Sequence, residues 1–348
     1  MKRGSRVRAI TTTVIVLIAA GAALVPLPPS TVERVYSRGL YPAIQGTLTS
    51  LSNLTSFAWL DLAVGVLLVS LVFGVLRRAR TTGWKSSAGW GALTLLQVTA
   101  VVYLLFLATW GLNYRRIPLE NKLDFDRSRV TVQRAFELAN EAVRRANALH
   151  APAHASRQDH VALARAFTSA GRTLGGDVRW TPGVPKRSLL GFYFRKAAID
   201  GMTDPVFLEV ILNPDLLAVE EPEVLTHEWA HLAGYADESE ANFLAWLTCL
   251  RGDPLAQYSG WLAAYRRSSS ALPRSIRTTL LKLDAGPRAD LAAITARYYR
   301  SSTVVRSAAN DVYDAYLKAN RIPEGIANYD QVMQLMLGTS LGSDWSPR

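Results

Sequence analysis

Three residues in the stretch Glu221 to Leu250 have the types and spacing for metal chemistry: His227, Glu228 and His231, within EPEVLTHEWAHLAGYADESEANFLAWLTCL. Side chains four apart lie one above the other on a helix, so both imidazoles can offer a nitrogen to the same ion. A tetrahedral zinc ion takes nitrogen ligands at about 2.0–2.1 Å, a third protein ligand and an open position for water. Glu228, one step round from His227, is then placed to accept a proton from that water. This is the H-E-x-x-H arrangement, with Zn2+ as the expected cofactor.

The flanks agree with that reading. Val224, Leu225, Trp229, Ala230, Leu232 and Ala233 are uncharged, as befits a helix buried on most sides. Pro222 suits a first turn, Glu221 and Glu223 suit the positive end of the helix dipole, and Gly234 suits a left-handed stop. The alternative is a surface helix with an unremarkable His/Glu/His cluster. For the third ligand the sequence offers Glu240, on a second helix beginning near Asp237, ahead of Asp237 itself and, further behind, Glu238. Asp237 and Glu240 also fit a capping box, and Asp237 can cap while Glu240 binds metal.

The elements that must position this helix begin in a membrane-like first third. The chain has 348 residues and a formal charge of +11. Residues 9–27, 57–76 and 90–110 are apolar stretches of about the 20 residues needed to cross a bilayer core. The first is read as a retained helix rather than a signal peptide, because prolines follow it in place of a cleavage site. Of the charge, +8 falls in residues 1–112 and only +3 in the remainder. The basic balance is therefore topological and excludes nucleic acid as the implied partner. Lys/Arg cluster before the first stretch and after the second (Arg77, Arg78, Arg80, Lys85), which puts those ends in the cytoplasm and everything after about Gly111 outside. Trp90 and Trp110 fit an aromatic belt, whereas Arg115 and Arg116 count against this orientation. Asp61 reads as a tolerated anion in the first turn of its span.

Residues 1–112 thus form an expected membrane domain and 113–348 an extracytoplasmic one. Residues 130–149 have helical apolar spacing, with a turn around Pro152 and a second helix over about 159–174. His150, His154 and His160 show no ligand spacing and read as surface residues. Residues 206–213 (VFLEVILN) look like a strand, and an edge strand beside a metal helix could pair with a substrate backbone. Residues 189–195 are its possible neighbour, or a loop near the membrane. Tyr258, Trp261 and Tyr265 fall in an expected loop, followed by helices over about 287–299 and 304–318. Tyr258, Tyr313, Tyr316 and Tyr329 are each able to donate to an oxyanion. The single cysteine, Cys249, excludes an intrachain disulfide and reads as a buried thiol.

The three apolar stretches, WGLNYRRIPL (110–119), PVFLEVILNPDLL (205–217), THEWAHLAGYADESEANFLAWL (226–247) and VYDAYLKANRIPEGIANYDQVMQLML (312–337) together resemble an uncharacterised family of bacterial multi-pass membrane proteins. That family is a domain of unknown function assigned to the zincin-like metallopeptidases. The resemblance implies a mostly helical α+β fold, three transmembrane helices followed by a zincin-like domain with a small sheet. It implies His227 and His231 as ligands and Glu228 as general base. It also favours Glu240, since the E-A-N-F glutamate matches there while the position of Asp237 need not be acidic.

These observations set the expectation of a membrane-anchored zinc metallopeptidase acting on peptides or proteins at the outer face of the bilayer. The alternative from another class is a non-catalytic zincin-like scaffold or partner-binding protein, against which the intact His227/Glu228/His231 set argues. Intramembrane proteolysis is disfavoured by the acidic residues surrounding the motif.

Overall fold

A computed structural model describes residues 3–175 and 180–348, with the side chains of 3–6, 326 and 328–330 left aside. The fold is mostly helical with a small three-stranded sheet, and three of its helices are long and apolar enough to cross a membrane. These are α1 (Arg3–Leu24), α3 (Trp59–Thr82) and α4 (Trp84–Thr109); α2 (Tyr41–Ser52) lies between the first two. Only Gly83, at φ +82°, separates α3 from α4, and this left-handed residue folds the pair into a hairpin. Gly74 lets the two helices approach, because a Cβ there would lie 2.7 Å from the Trp90 ring. Leu67, Leu68, Val69, Val72 and Phe73 point outward, the pattern of a surface that faces hydrocarbon.

The ends of α1, α3 and α4 away from the Gly83 turn are tied into the rest of the chain. Glu209 accepts from the Trp59 and Leu60 amides, satisfying the first turn of α3. Thr109, at the end of α4, donates to the Pro205 carbonyl at 2.6 Å. Arg115 donates to the carbonyls of Ala22 (2.8 Å) and Val25 (3.3 Å), closing the C-terminus of α1. Arg115, which counted against the orientation, is therefore engaged as a helix cap. Arg116 is engaged too: it donates to Glu33 (3.1 Å) and to the Gly234 carbonyl (2.9 Å) and covers the Tyr235 ring.

Beyond the apolar helices come α5 (Val132–Ala155), α6 (His160–Thr173), α7 (Leu190–Ala197), α8 (Glu221–Leu232), α9 (Glu238–Cys249), α10 (Pro254–Ala271), α11 (Ala285–Tyr299), α12 (Thr303–Ala319) and α13 (Asn328–Gly338). Asp159 caps α6 through the Val161 and Ala162 amides. Helix α5 runs through Pro152 and ends only at Ala155, so the turn expected at that proline comes later. The segment carrying Tyr258, Trp261 and Tyr265, expected as a loop, is helix α10, with Asp253 as N-cap and Pro254 in the first turn.

The strands are β1 (Pro185–Lys186), β2 (Gly201–Asp204) and β3 (Glu209–Leu212), in spatial order β1-β3-β2. β1 runs parallel to β3, pairing Pro185 with Val210, while β2 runs antiparallel, pairing Gly201 with Leu212. The expected strand over 206–213 is shorter and central. Its first residues form a turn, in which the Asp204 carboxylate accepts from the Val206 and Phe207 amides and Leu208 adopts φ +54°. The edge beside α8 belongs to β2. The stretch 189–195 is the helix α7, started by Ser188 and by Asp61, which accepts from the Leu189 amide at 2.7 Å.

One core joins Tyr36, Tyr41, Phe106 and Trp110 to Leu225, Trp229, Leu232 and Trp246. Within it Glu33 is buried with Arg116 and Lys122 against it and Arg38 outside. Burial opposes its charge, but these cations hold its carboxyl below the usual range. Glu33→Ala would leave buried cations uncompensated and is expected to cost about 3–5 kcal/mol, read by denaturant or thermal unfolding in detergent. A stability indistinguishable from wild type would remove this cluster from the account.

Candidate metal centre

Helix α8 is fixed on one face by Trp229, whose indole N–H donates to the Gly183 carbonyl at 2.8 Å and whose ring packs on Trp180. Gly234, at φ +85°, ends it: the Gly234 amide bonds the His231 carbonyl and the Tyr235 amide the Ala230 carbonyl. Carbonyls at this end also receive side chains from the first 116 residues. Trp110 donates to His231 O and Tyr41 to Leu232 O, each at 2.8 Å, alongside Arg116 on Gly234 O. The end of α4 thus touches the motif helix directly.

The other face of α8 carries the two imidazoles, with Nε2 atoms 3.1 Å apart. His231 Nδ1 lies 2.8 Å from the Tyr235 carbonyl, which can only accept, so Nδ1 carries a proton and Nε2 is the nitrogen turned to His227. Glu238 completes the group: its Oε2 is 3.2 Å from His227 Nε2 and its Oε1 3.5 Å from His231 Nε2. The Tyr313 hydroxyl donates to the same Oε1. All three ligand atoms lie within 4.8 Å of one another.

The electrostatics suit a cation. Glu238 is 1% exposed, and although burial opposes its charge, the imidazoles hold its carboxyl well below the usual range. Burial likewise opposes charge on His231, yet Glu238 outweighs it and pushes the imidazole up to about 9. The negative potential that favours a proton here also favours a cation. Two nitrogens held at about 2.0–2.1 Å from a tetrahedral ion stand roughly 3.3 Å apart, close to the observed separation. The donor set therefore fits a metal.

The Glu228 carboxylate meets the sheet at β2. Thr203 Oγ1 on β2 lies 2.8 Å from its Oε2, and a Cβ at Gly201 would come within 2.6 Å of its Oε1. A side chain there would displace the carboxylate, so glycine leaves it room beside the strand. Burial raises the Glu228 carboxyl, with His227 and His231 partly offsetting the rise.

Glu240 is not brought to this group. Its Oε1 accepts from the Leu119 amide and it lines a polar cavity with Asn113 and Arg116. Burial against the pull of Arg116 pushes its carboxyl up to about 7. The reason is angular: two residues along a helix rotate a side chain by about 200°, so Glu238 and Glu240 face opposite ways. Asp237 caps α9 by accepting from the Ser239 and Glu240 amides, the N-cap half of the expected capping box, while the Glu240 carboxylate turns to Leu119 instead of reaching back. Of the tyrosines, Tyr313 alone among the described side chains touches Glu238. Tyr316 lies behind it against Tyr114, Tyr258 donates to Asp290, and the Tyr329 side chain is outside the described residues. Cys249 is buried, and burial pushes its thiol upward, as a structural thiol requires.

What the fold and site define is a mostly helical protein with three candidate membrane spans and a buried His/His/Glu group at their common end. The chain belongs to the family described as "Protein of unknown function (DUF3810)", which matches residues 36–337 and so takes in two of the spans together with the whole centre. No curated protein and no solved structure matches it.

The support of α8 from below is open to measurement. Tyr41→Phe leaves the buried Leu232 carbonyl without its donor and is expected to lower stability by about 1–3 kcal/mol. Equal unfolding midpoints for variant and wild type would show that this hydrogen bond contributes nothing.

Proposed function

We propose that the protein is a membrane-anchored zinc metallopeptidase with a zincin-like α+β arrangement, hydrolysing peptide bonds at the outer face of the membrane. The observation that carries this reading is the convergence of His227 Nε2, His231 Nε2 and the Glu238 carboxylate, with Glu228 on the adjoining step of the same helix. His227, His231 and Glu238 are the ligands in this reading, and Glu238 takes the place that sequence spacing assigned to Glu240. Bound zinc would supply a Lewis acid, acidifying a water and polarising a carbonyl.

The chain's own groups have separate tasks. Glu228 is the proton acceptor, and Thr203 holds one of its oxygens. Tyr235 O fixes the His231 tautomer and Tyr313 orients Glu238, the outer contacts that keep a ligand set aimed. Strand β2 lies at the sheet edge next to Glu228 and offers its backbone to an extended peptide. The orientation is supported by position: the centre lies at the ends of α3 and α4 opposite the Gly83 turn, where Arg77, Arg78, Arg80 and Lys85 cluster.

The test uses the full chain in detergent, with metal content by elemental analysis and hydrolysis of a mixed peptide library with and without chelator. Glu228→Gln should keep its zinc and lose about 10²–10⁴-fold of hydrolysis. Undiminished cleavage by that variant would end the mechanism. Glu238→Ala should lose the metal while Glu240→Gln retains it, and the reverse result would return the third ligand to Glu240. Zinc binding without hydrolysis of any peptide would leave the chain a scaffold.

A further inference from the structure

A second group of metal-ligating side chains lies outside this centre. His150 and His154 are four apart on the last turns of α5, on one face, with ring centroids 4.4 Å apart. Asp290, on α11, brings its Oδ2 to 2.9 Å from His154 Nε2 and 3.6 Å from His150 Nε2. The three ligand atoms lie within 4.8 Å of one another. Two features make this more than a chance surface contact. The Tyr258 hydroxyl, on α10, donates to the same Asp290 oxygen at 2.6 Å, so the carboxylate is aimed from behind by a buried side chain. Gly286 lies flat against the His150 ring, where a Cβ would come within 2.4 Å, so the imidazole is held in place on that side.

We propose that His150, His154 and Asp290 bind a divalent transition-metal ion of the zinc class, pinning α5 to α11. Two imidazoles and one carboxylate form a borderline-soft donor set, which selects zinc and its neighbours over calcium or magnesium. His154 is 46% and His150 31% exposed at the side chain, so the open side of the group admits water as the remaining ligand. Tyr258 is the outer contact that fixes the carboxylate. The site packs over a separate apolar cluster of Val143, Ala153, Tyr258, Leu262 and Ile294, so it is a structural clamp with no part in the chemistry of the first centre.

The full chain in detergent, stripped with chelator, reloaded and dialysed against micromolar zinc, should hold two zinc ions. His150→Ala/His154→Ala should hold one, as should His227→Ala/His231→Ala, and the two losses should be independent. Tyr258→Phe should weaken the clamp about 10–100-fold without touching the first centre. In the His227→Ala/His231→Ala background zinc should still raise the melting temperature, and Asp290→Asn, which keeps an acceptor for Tyr258, should abolish that rise. Two zinc ions retained in His150→Ala/His154→Ala, or no zinc held by His227→Ala/His231→Ala after dialysis, overturns the proposal. Zinc unchanged by His227→Ala/His231→Ala but lost with His150→Ala/His154→Ala supports the clamp and counts against the first centre alone.

Discussion

The structure depends on one buried anion. Glu238 is almost fully enclosed, and a carboxylate in that position is stable only with compensating groups against it. His227, His231 and the Tyr313 hydroxyl supply them. Holding them there requires α8 and α9 to meet at a fixed angle, which the Gly234 turn and the Asp237 cap set between them. Helix α9 is buried along its whole length, its polar first turn included.

The same constraint reaches into the apolar helices. A helix ending in a core leaves carbonyls to be satisfied, and in α8 these are met by Trp110, Tyr41 and Arg116. None of the three comes from the part of the chain that carries the motif. Glu209 works in the other direction, closing the start of α3, while Asp61 on α3 closes the start of α7. The apolar helices and the helices beyond them are joined by reciprocal caps and a continuous core rather than by a linker.

How much of this was legible in the sequence varies with the physics of each element. The motif helix could be bounded closely because both its ends are marked locally, by Pro222 and by Gly234. The apolar helices were equally plain from length and composition. The choice between Glu238 and Glu240 was not, because a helix buried on every face has no amphipathic phase to say which way a given residue points. Helix α10 passed for a loop because its aromatic residues are buried between other helices and leave no polar stripe. In the sheet, a run of apolar residues hid a turn at Pro205 to Leu208, where the decisive contact is the Asp204 carboxylate on two amides. His150 and His154 are four apart, a ligand spacing that their reading as surface residues passed over. Asp290, far along the chain, gives no local sign of joining them.

Trp110 touches both the last turn of α4 and the carbonyl of His231, and that short bridge acts as a ruler. One indole thus sets a fixed length between the two, and the apolar helix cannot slide along its own axis without carrying the imidazole pair with it.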